Sequence, residues 1–305
     1  MNGTRNNIPL FGATTQAAFW MTGAIVSFTS MAIAARAISH ELDTFEIMLF
    51  RSIVGVCVVL AGARLLGTTH TITRRSLGLH TIRNIGHFTG QNLWFFAITV
   101  VPLMQVFALE FTSPLWVVLL APLILGERIT WDRMIVVCLG LIGVALVARP
   151  WEAPPSWGLV AAALAAIGFA ISALFTRKLT RSESVTCILF WMTLMQAVFG
   201  LICAGYDGDI ALPSAAVTPW LVLIALAGLL AHLCITQALS RAPASVVMPF
   251  DFIRLPVITF VGIWLYAEPF DPWALSGGVI IFAAGYMNVL TAARGERRLK
   301  RSRAQ

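Results

Sequence analysis

Arg51, Glu110, Asp251 and Arg254 stand inside stretches of sequence that are otherwise apolar. An ionisable side chain in hydrocarbon is expensive, and it marks a ligand site, a proton path or a structural pair. The four sum formally to zero charge, so pairing can offset the cost of burial. Asp251 and Arg254 are three residues apart and share one helix face, within reach of each other. Closed, they make a structural ion pair. Opened, they offer both signs of charge to a zwitterion's ammonium and carboxylate. Glu110 lies four residues before Pro114, and the missing proline N–H frees the Glu110 carbonyl and predicts a kink. The Glu110 carboxyl is either a group that titrates in a conformational cycle or a satisfied structural acid. For Arg51, about six residues inside its apolar run, the preferred reading is a long stem that snorkels outward to the interface.

Uncharged polar residues add two faces. Asn84, His87, Gln91 and Trp94 recur at offsets of three, seven and ten, which places them on one side of a helix. Gly228, His232 and Thr236 repeat at every fourth position, with Gln237 beside them. These faces line a cavity or hydrogen-bond between helices. Of the 10 Trp and 19 Phe, Trp131, Trp151, Trp157, Trp220 and Trp273 fall near the ends of apolar runs, as an interfacial belt requires. Trp20, Trp94, Phe107, Phe169 and Trp191 lie deeper and suit an apolar pocket. The expected binding set is therefore Trp20, His87, Gln91, Trp94, Phe107, Glu110, Phe169, Trp191, His232, Gln237, Asp251 and Arg254. It suits a small amphipathic molecule. No catalytic residue, metal ligand or cofactor is expected: G-x-x-x-x-G-K-[ST], H-E-x-x-H and G-x-S-x-G are absent. The five cysteines fall singly inside apolar runs.

These residues need elements that hold them inside a membrane. The 305-residue chain is 58% hydrophobic and only 11% charged, with a mean hydropathy of +0.84. That is too few charges for a soluble globule, for which about 25% is usual. Long continuous runs favour helices over a barrel, whose strands alternate over about ten residues. Ten spans are read at 12–38, 45–66, 84–101, 103–125, 133–149, 157–178, 185–205, 218–240, 245–267 and 273–293. Most of the 21 Lys and Arg fall in the loops and tail on one side, while the other side holds Arg149, with Arg36 at a helix end. The positive-inside rule then places both termini in the cytoplasm. The same distribution explains the net charge of +7 as a topology signal beside an anionic leaflet, with no nucleic-acid partner.

An offset of 141 residues superposes the apolar blocks. Arg36 falls on Arg177, Pro102 on Pro243, Glu110 on Asp251, Glu127 on Glu268 and Gln91 on His232. Five spans per half is an odd number, so the second half enters from the opposite side and the repeats are inverted. The fold class is all-α and polytopic, with ten transmembrane helices in two inverted five-helix repeats. Residues 1–150 form the first repeat, 151–293 the second and 294–305 a basic cytoplasmic tail. Such repeats are frequent in secondary transporters, with the substrate near the midplane.

The matching stretches are Ala97 to Pro102, Pro114 and Leu125-Gly126-Glu127-Arg128 in one half. In the other they are Ala238 to Ala244, Pro256 and Ala267-Glu268-Pro269. This pattern resembles the drug/metabolite transporter superfamily, specifically its EamA-type ten-helix bacterial exporters, although Ala267 replaces the glycine of the second motif. The resemblance implies a carrier of small metabolites, without ATP hydrolysis or enzymatic activity. The family includes exporters of aromatic and other amino acids, and these are the expected substrates. Lipophilic drug-like cations are the alternative. It also implies spans one to four and six to nine around a central cavity, with spans five and ten as braces. Glu127 and Glu268 are read as structural groups at helix ends. A monomer in the bacterial inner membrane is expected. A fluorescent protein fused after Gln305 should fluoresce, and alkaline phosphatase fused there should be inactive; the reverse pattern would overturn the orientation.

Overall fold

The computed structural model describes residues 13–125, 131–149, 151–152, 155–179, 182–206, 208–241 and 253–302. These residues form α1 (Ala13–Ile38), α2 (Thr44–Leu65), a 3-10 turn (Thr69–Thr71), α3 (Leu77–Val100), α4 (Leu103–Glu110) and α5 (Ser113–Leu125). There follow α6 (Trp131–Ala148), α7 (Trp157–Leu179), α8 (Val185–Ala204), α9 (Thr218–Arg241), α10 (Arg254–Tyr266) and α11 (Pro272–Ser302). No strand occurs among the described residues. Helices α4 and α5 together make the fourth span, and α10 is the described part of the ninth. Among the described residues, six helical spans are long and apolar enough to cross a bilayer on length and hydropathy, and three shorter apolar helices accompany them.

The chemistry of the chain sets the helix ends. Helix α2 opens with a capping box, in which the Asp43 side chain accepts from Glu46 N–H and the Glu46 side chain accepts from Asp43 N–H. Helix α3 stops at Val100 because Pro102 disfavours helical geometry in the residue before it. The fourth span breaks at Phe111 and Thr112, as Pro114 requires, and Pro114 then sits in the first turn of α5. Two boundaries differ from the sequence reading. Helix α3 begins at Leu77, well before residue 84, which brings His80 and Arg83 into the helix. Helix α11 continues to Ser302, since the Glu, Arg, Lys and Leu of this segment are good helix formers.

The helices pack across the two halves. Helix α3 lies on α7, α1 on α9, α2 on α8, and α6 on α11. The first two pairs are equivalent under the repeat, and the last two each join a span to its own mate. Small residues permit this closeness. A Cβ at Gly168 of α7 would come within 2.7 Å of the Gly86 carbonyl oxygen and 2.8 Å of Gly90 Cα on α3. Gly143 and Gly277 face each other in the same way between α6 and α11. Large apolar side chains such as Phe19, Leu123, Phe260 and Trp264 point away from the bundle, as a lipid-facing surface does.

At the end of the bundle that holds the α3–α4 junction, one cluster ties the repeats together. Arg36 donates to the carbonyls of Ile98 (2.5 Å) and Val101 (2.7 Å) and pairs with Glu268. The other Glu268 oxygen accepts from Leu103 N–H at 2.9 Å and so caps α4, whose N-cap Pro102 makes no side-chain cap. Glu268 therefore caps a helix, as the sequence suggested, but in the opposite repeat. Ala267 takes φ +50°, ψ +32° to end α10 and aim this carboxylate. That left-handed geometry costs an L-residue about 1–2 kcal/mol. Ala267→Gly is expected to stabilise the fold by about 0.5–1 kcal/mol after the added chain entropy of glycine. The measurement is the unfolding temperature in detergent, and no rise would show that the residue is unstrained.

Candidate substrate site

Three spans meet at Glu110. The kink at the α4–α5 break turns its carboxylate inward, where it accepts from Trp94 Nε1 at 2.8 Å and from Arg254 Nη2 at 3.0 Å. Arg254 is 3% exposed, and its guanidinium carbon lies 4.7 Å from the Phe28 ring centre and 5.0 Å from those of Phe107 and Phe111. A cation over desolvated aromatic faces gains on the order of 2 kcal/mol. Trp94 packs edge-on against Phe107 at 5.8 Å. The helix-local pair expected between Arg254 and Asp251 cannot be compared, because Asp251 lies outside the described residues. The carboxylate seen on Arg254 comes from the other repeat.

A second group lies about two turns back along α3 from Trp94. The rings of His87 and His232 are 6.0 Å apart, and His87 also meets Phe169 at 6.0 Å. Phe28 stands edge-on to His232 at 6.2 Å, so it joins this group to the Arg254 cluster. Arg51 is only 8% exposed. It does not snorkel: its Nη1 faces Met48 Sδ at 3.8 Å and it lines a cavity with Ser52, Thr193, Gln196 and His232. The small residue Gly228 on α9 makes room for it. Arg51 Nε, His87 Nε2, Gln91 Oε1 and Gln196 Nε2 are all buried with no hydrogen-bond partner. Such orphans are costly and fit a region built to meet polar edges of a guest.

The cavity described beside Arg51 is small. The cavity beside Arg51 measures about 10 Å³, room for about one water, whereas metabolite pockets run to about 300–1,000 Å³. A cleft of about 280 Å³ opens where α1, α2 and α3 meet at the Arg36 end, lined by Ser39, Asp43, Phe45 and Phe95 among others. Phe45 stacks on Phe88, the neighbour of His87, so aromatic rings stand between that cleft and the polar centre.

Of the expected residues, the structure brings together His87, Gln91, Trp94, Phe107, Glu110, Phe169, His232 and Arg254. Gln237 is half-buried, five residues beyond His232 on α9. Trp20 packs edge-on to the exposed Phe19. Trp191 does not join the centre: it lies against His80 at the N-terminal end of α3 and donates to the Thr73 carbonyl at 2.7 Å. Counting from the start of α8, it is only two turns in, which is too shallow. Sequence reasoning singled out Arg51 but left it out of the binding set as a snorkelling stem, and it passed over Arg83 as a loop charge. Arg83 is buried, donating to Thr176 Oγ1 at 3.1 Å and Asn84 Oδ1 at 2.8 Å. Its signal was the stripe itself, which extends back from His87 through Arg83 to His80.

Inverted repeats, membrane-length apolar helices and a buried polar centre are the marks of a secondary transporter of small molecules. The EamA-like transporter family model matches residues 15–149 and again 156–290, and the chain belongs to that family. A riboflavin transporter of Brucella anthropi is 32% identical over 236 residues, 75% of this chain and 81% of that protein. An S-adenosylmethionine uptake transporter of Rickettsia felis is 26% identical over 265 residues, 87% of this chain and 89% of its own. A crystal structure with 18% identity superposes with a TM-score of 0.62, covering 92% of this chain and 99% of the other.

Removing the Glu110 carboxylate strips a partner from a buried cation. Glu110→Ala is expected to cost about 3 kcal/mol, while Glu110→Ala with Arg254→Met should recover about half of that loss, since an apolar pair replaces a broken ionic one. Unfolding in detergent reads both. Losses that simply add would show that the two side chains are not coupled.

Proposed function

We propose that this chain is a multi-pass inner-membrane carrier for flat, hydrogen-bonding heteroaromatic metabolites, with flavins first. The observation that carries this reading is the set of buried unpartnered polar atoms on Arg51, His87, Gln91 and Gln196 beside the aromatic walls of Trp94, Phe107 and Phe169. A flavin-like ring offers an edge of carbonyl and imide groups to such atoms and two faces to the rings. The name of the Brucella anthropi relative supports the same class. A second reading, an aromatic or other neutral amino acid, is favoured by the Glu110–Arg254 pair, whose opposite charges match an ammonium and a carboxylate. Lipophilic cations fit less well, because Arg51, Arg83 and Arg254 outnumber Glu110 among the described ionisable residues there.

We take the working unit as a monomer with cytoplasmic termini, divided at residues 150 and 293 as the repeat suggests. Transport proceeds by rocking between inward-open and outward-open states, without a cofactor. The sequence pointed to export, whereas a relative is named for uptake, so exchange in either direction is proposed. Counterflow tests this without assuming a direction. Proteoliposomes preloaded with unlabelled riboflavin are expected to accumulate labelled riboflavin, and protein-free liposomes are not. Accumulation of labelled phenylalanine under phenylalanine preload, with none for riboflavin, would replace the first reading by the second. Counterflow of neither, in folded protein, would overturn both.

A further inference from the structure

We propose that His80, Glu183 and Cys187 bind a borderline-soft divalent transition ion of the zinc class. The site lies at the end of the bundle where α3 and α8 begin, away from the Glu110 centre. One ligand atom from each residue lies within 4.8 Å of the others. His80 is 0% exposed, and neither of its ring nitrogens has a hydrogen-bond partner. A fully buried imidazole with both nitrogens idle is unusual, and here one side of it faces a carboxylate and a thiol. Glu183 Oε2 accepts from Thr73 Oγ1 at 2.8 Å, while Oε1 is buried and makes no hydrogen bond. The Cys187 side chain is buried with it.

Thiolate, imidazole and carboxylate are each ligands that zinc takes, and three of them leave the fourth position open to water. Thiolate and carboxylate together neutralise a divalent charge. Zinc–ligand bonds of about 2.0–2.3 Å imply ligand separations near 3.5 Å, so the three groups need to close by about 1 Å. Surrounding contacts already orient them. Thr73 N–H lies 3.4 Å from Cys187 Sγ, and the Trp191 ring packs beside His80 while its N–H holds the Thr73 carbonyl. An ion here would fasten the start of α3 to the start of α8, and so hold that end of the transporter shut. Arg83 nearby opposes a cation, which keeps the affinity moderate and the clamp reversible.

The test uses the full chain in detergent with a thiol-free reductant, titrated with Co²⁺ alone as the spectroscopic probe. Wild type is expected to bind one equivalent with thiolate-to-cobalt charge-transfer absorption and visible bands of tetrahedral intensity. Zn²⁺ should bleach both. Cys187→Ser should lose the charge-transfer band, and His80→Gln should weaken binding at least tenfold, while Cys57→Ser changes neither. Should a variant fail to fold, wild type still decides: Zn²⁺ should protect Cys187 from alkylation, mapped by mass spectrometry. Absence of the charge-transfer band in wild type, an unchanged band in Cys187→Ser, or equal alkylation with and without Zn²⁺ would overturn the site.

Discussion

Arg36 and Glu268 set a constraint that the rest of the bundle obeys. The first half of the molecule leaves backbone groups without helical partners at the α3–α4 junction, where Val101 and Pro102 interrupt the helical ladder. In a bilayer those groups must find partners inside the protein. Arg36 takes the carbonyls of Ile98 and Val101, and Glu268 takes the Leu103 amide. One residue belongs to α1 and the other follows α10, so the junction is satisfied only when the two repeats are assembled. The break at Pro102 is what lets α4 turn inward, and α4 carries Phe107 and Glu110. The site thus depends on a charge pair that touches no substrate.

The centre itself repeats this logic with a different purpose. Glu110 and Arg254 come from opposite repeats and compensate each other, and Trp94 and three phenyl rings shield them from lipid. Around His87, compensation is incomplete. Several polar atoms of Arg51, His87, Gln91 and Gln196 are buried without partners, each at a cost of about 1–3 kcal/mol. A guest with matching polar edges would lower that cost. Alternating access needs states that are close in free energy. A perfectly satisfied centre would lock, and a wholly apolar one would select nothing.

How much of this was legible in the sequence follows from range. Apolar runs, Pro102 and Pro114 act locally, and they announced the spans, the short α3–α4 link and the break after Glu110. The constant offset of 141 residues revealed two inverted halves, because repeat mates such as Arg36 and Arg177 keep their positions even where identity is sparse. The stripe from Asn84 to Trp94 pointed at the centre because a helix face is periodic. What failed was what depends on packing between distant segments. No local spacing could show that Glu110, 144 residues away, supplies a carboxylate to Arg254. Arg51 is held by space beside Gly228, on a helix far along the chain. His80, Glu183 and Cys187 lack motif spacing because two loops and two helices bring them together.

Charge balance also bears on what can pass. Buried groups on the way through the bundle give Arg51, Arg83 and Arg254 against Glu110 among the described residues, with uncharged hydrogen-bonding groups between them. A lipophilic cation would meet repulsion from more than one side and gain little from His87 or Gln91. A neutral heteroaromatic ring with carbonyl edges, as proposed, would meet donors from Arg51 and Gln196 and faces from Trp94 and Phe169, and would ask for no net charge compensation. A zwitterion must instead compete with Glu110 for Arg254, so its entry opens the pair that joins the repeats. The same two side chains then serve as lock in the empty carrier and as ligands in the loaded one, which would couple binding directly to the relative motion of the halves. A flavin-class guest need not break that pair. Its coupling would run through His87 and His232, which sit on α3 and α9, one from each half.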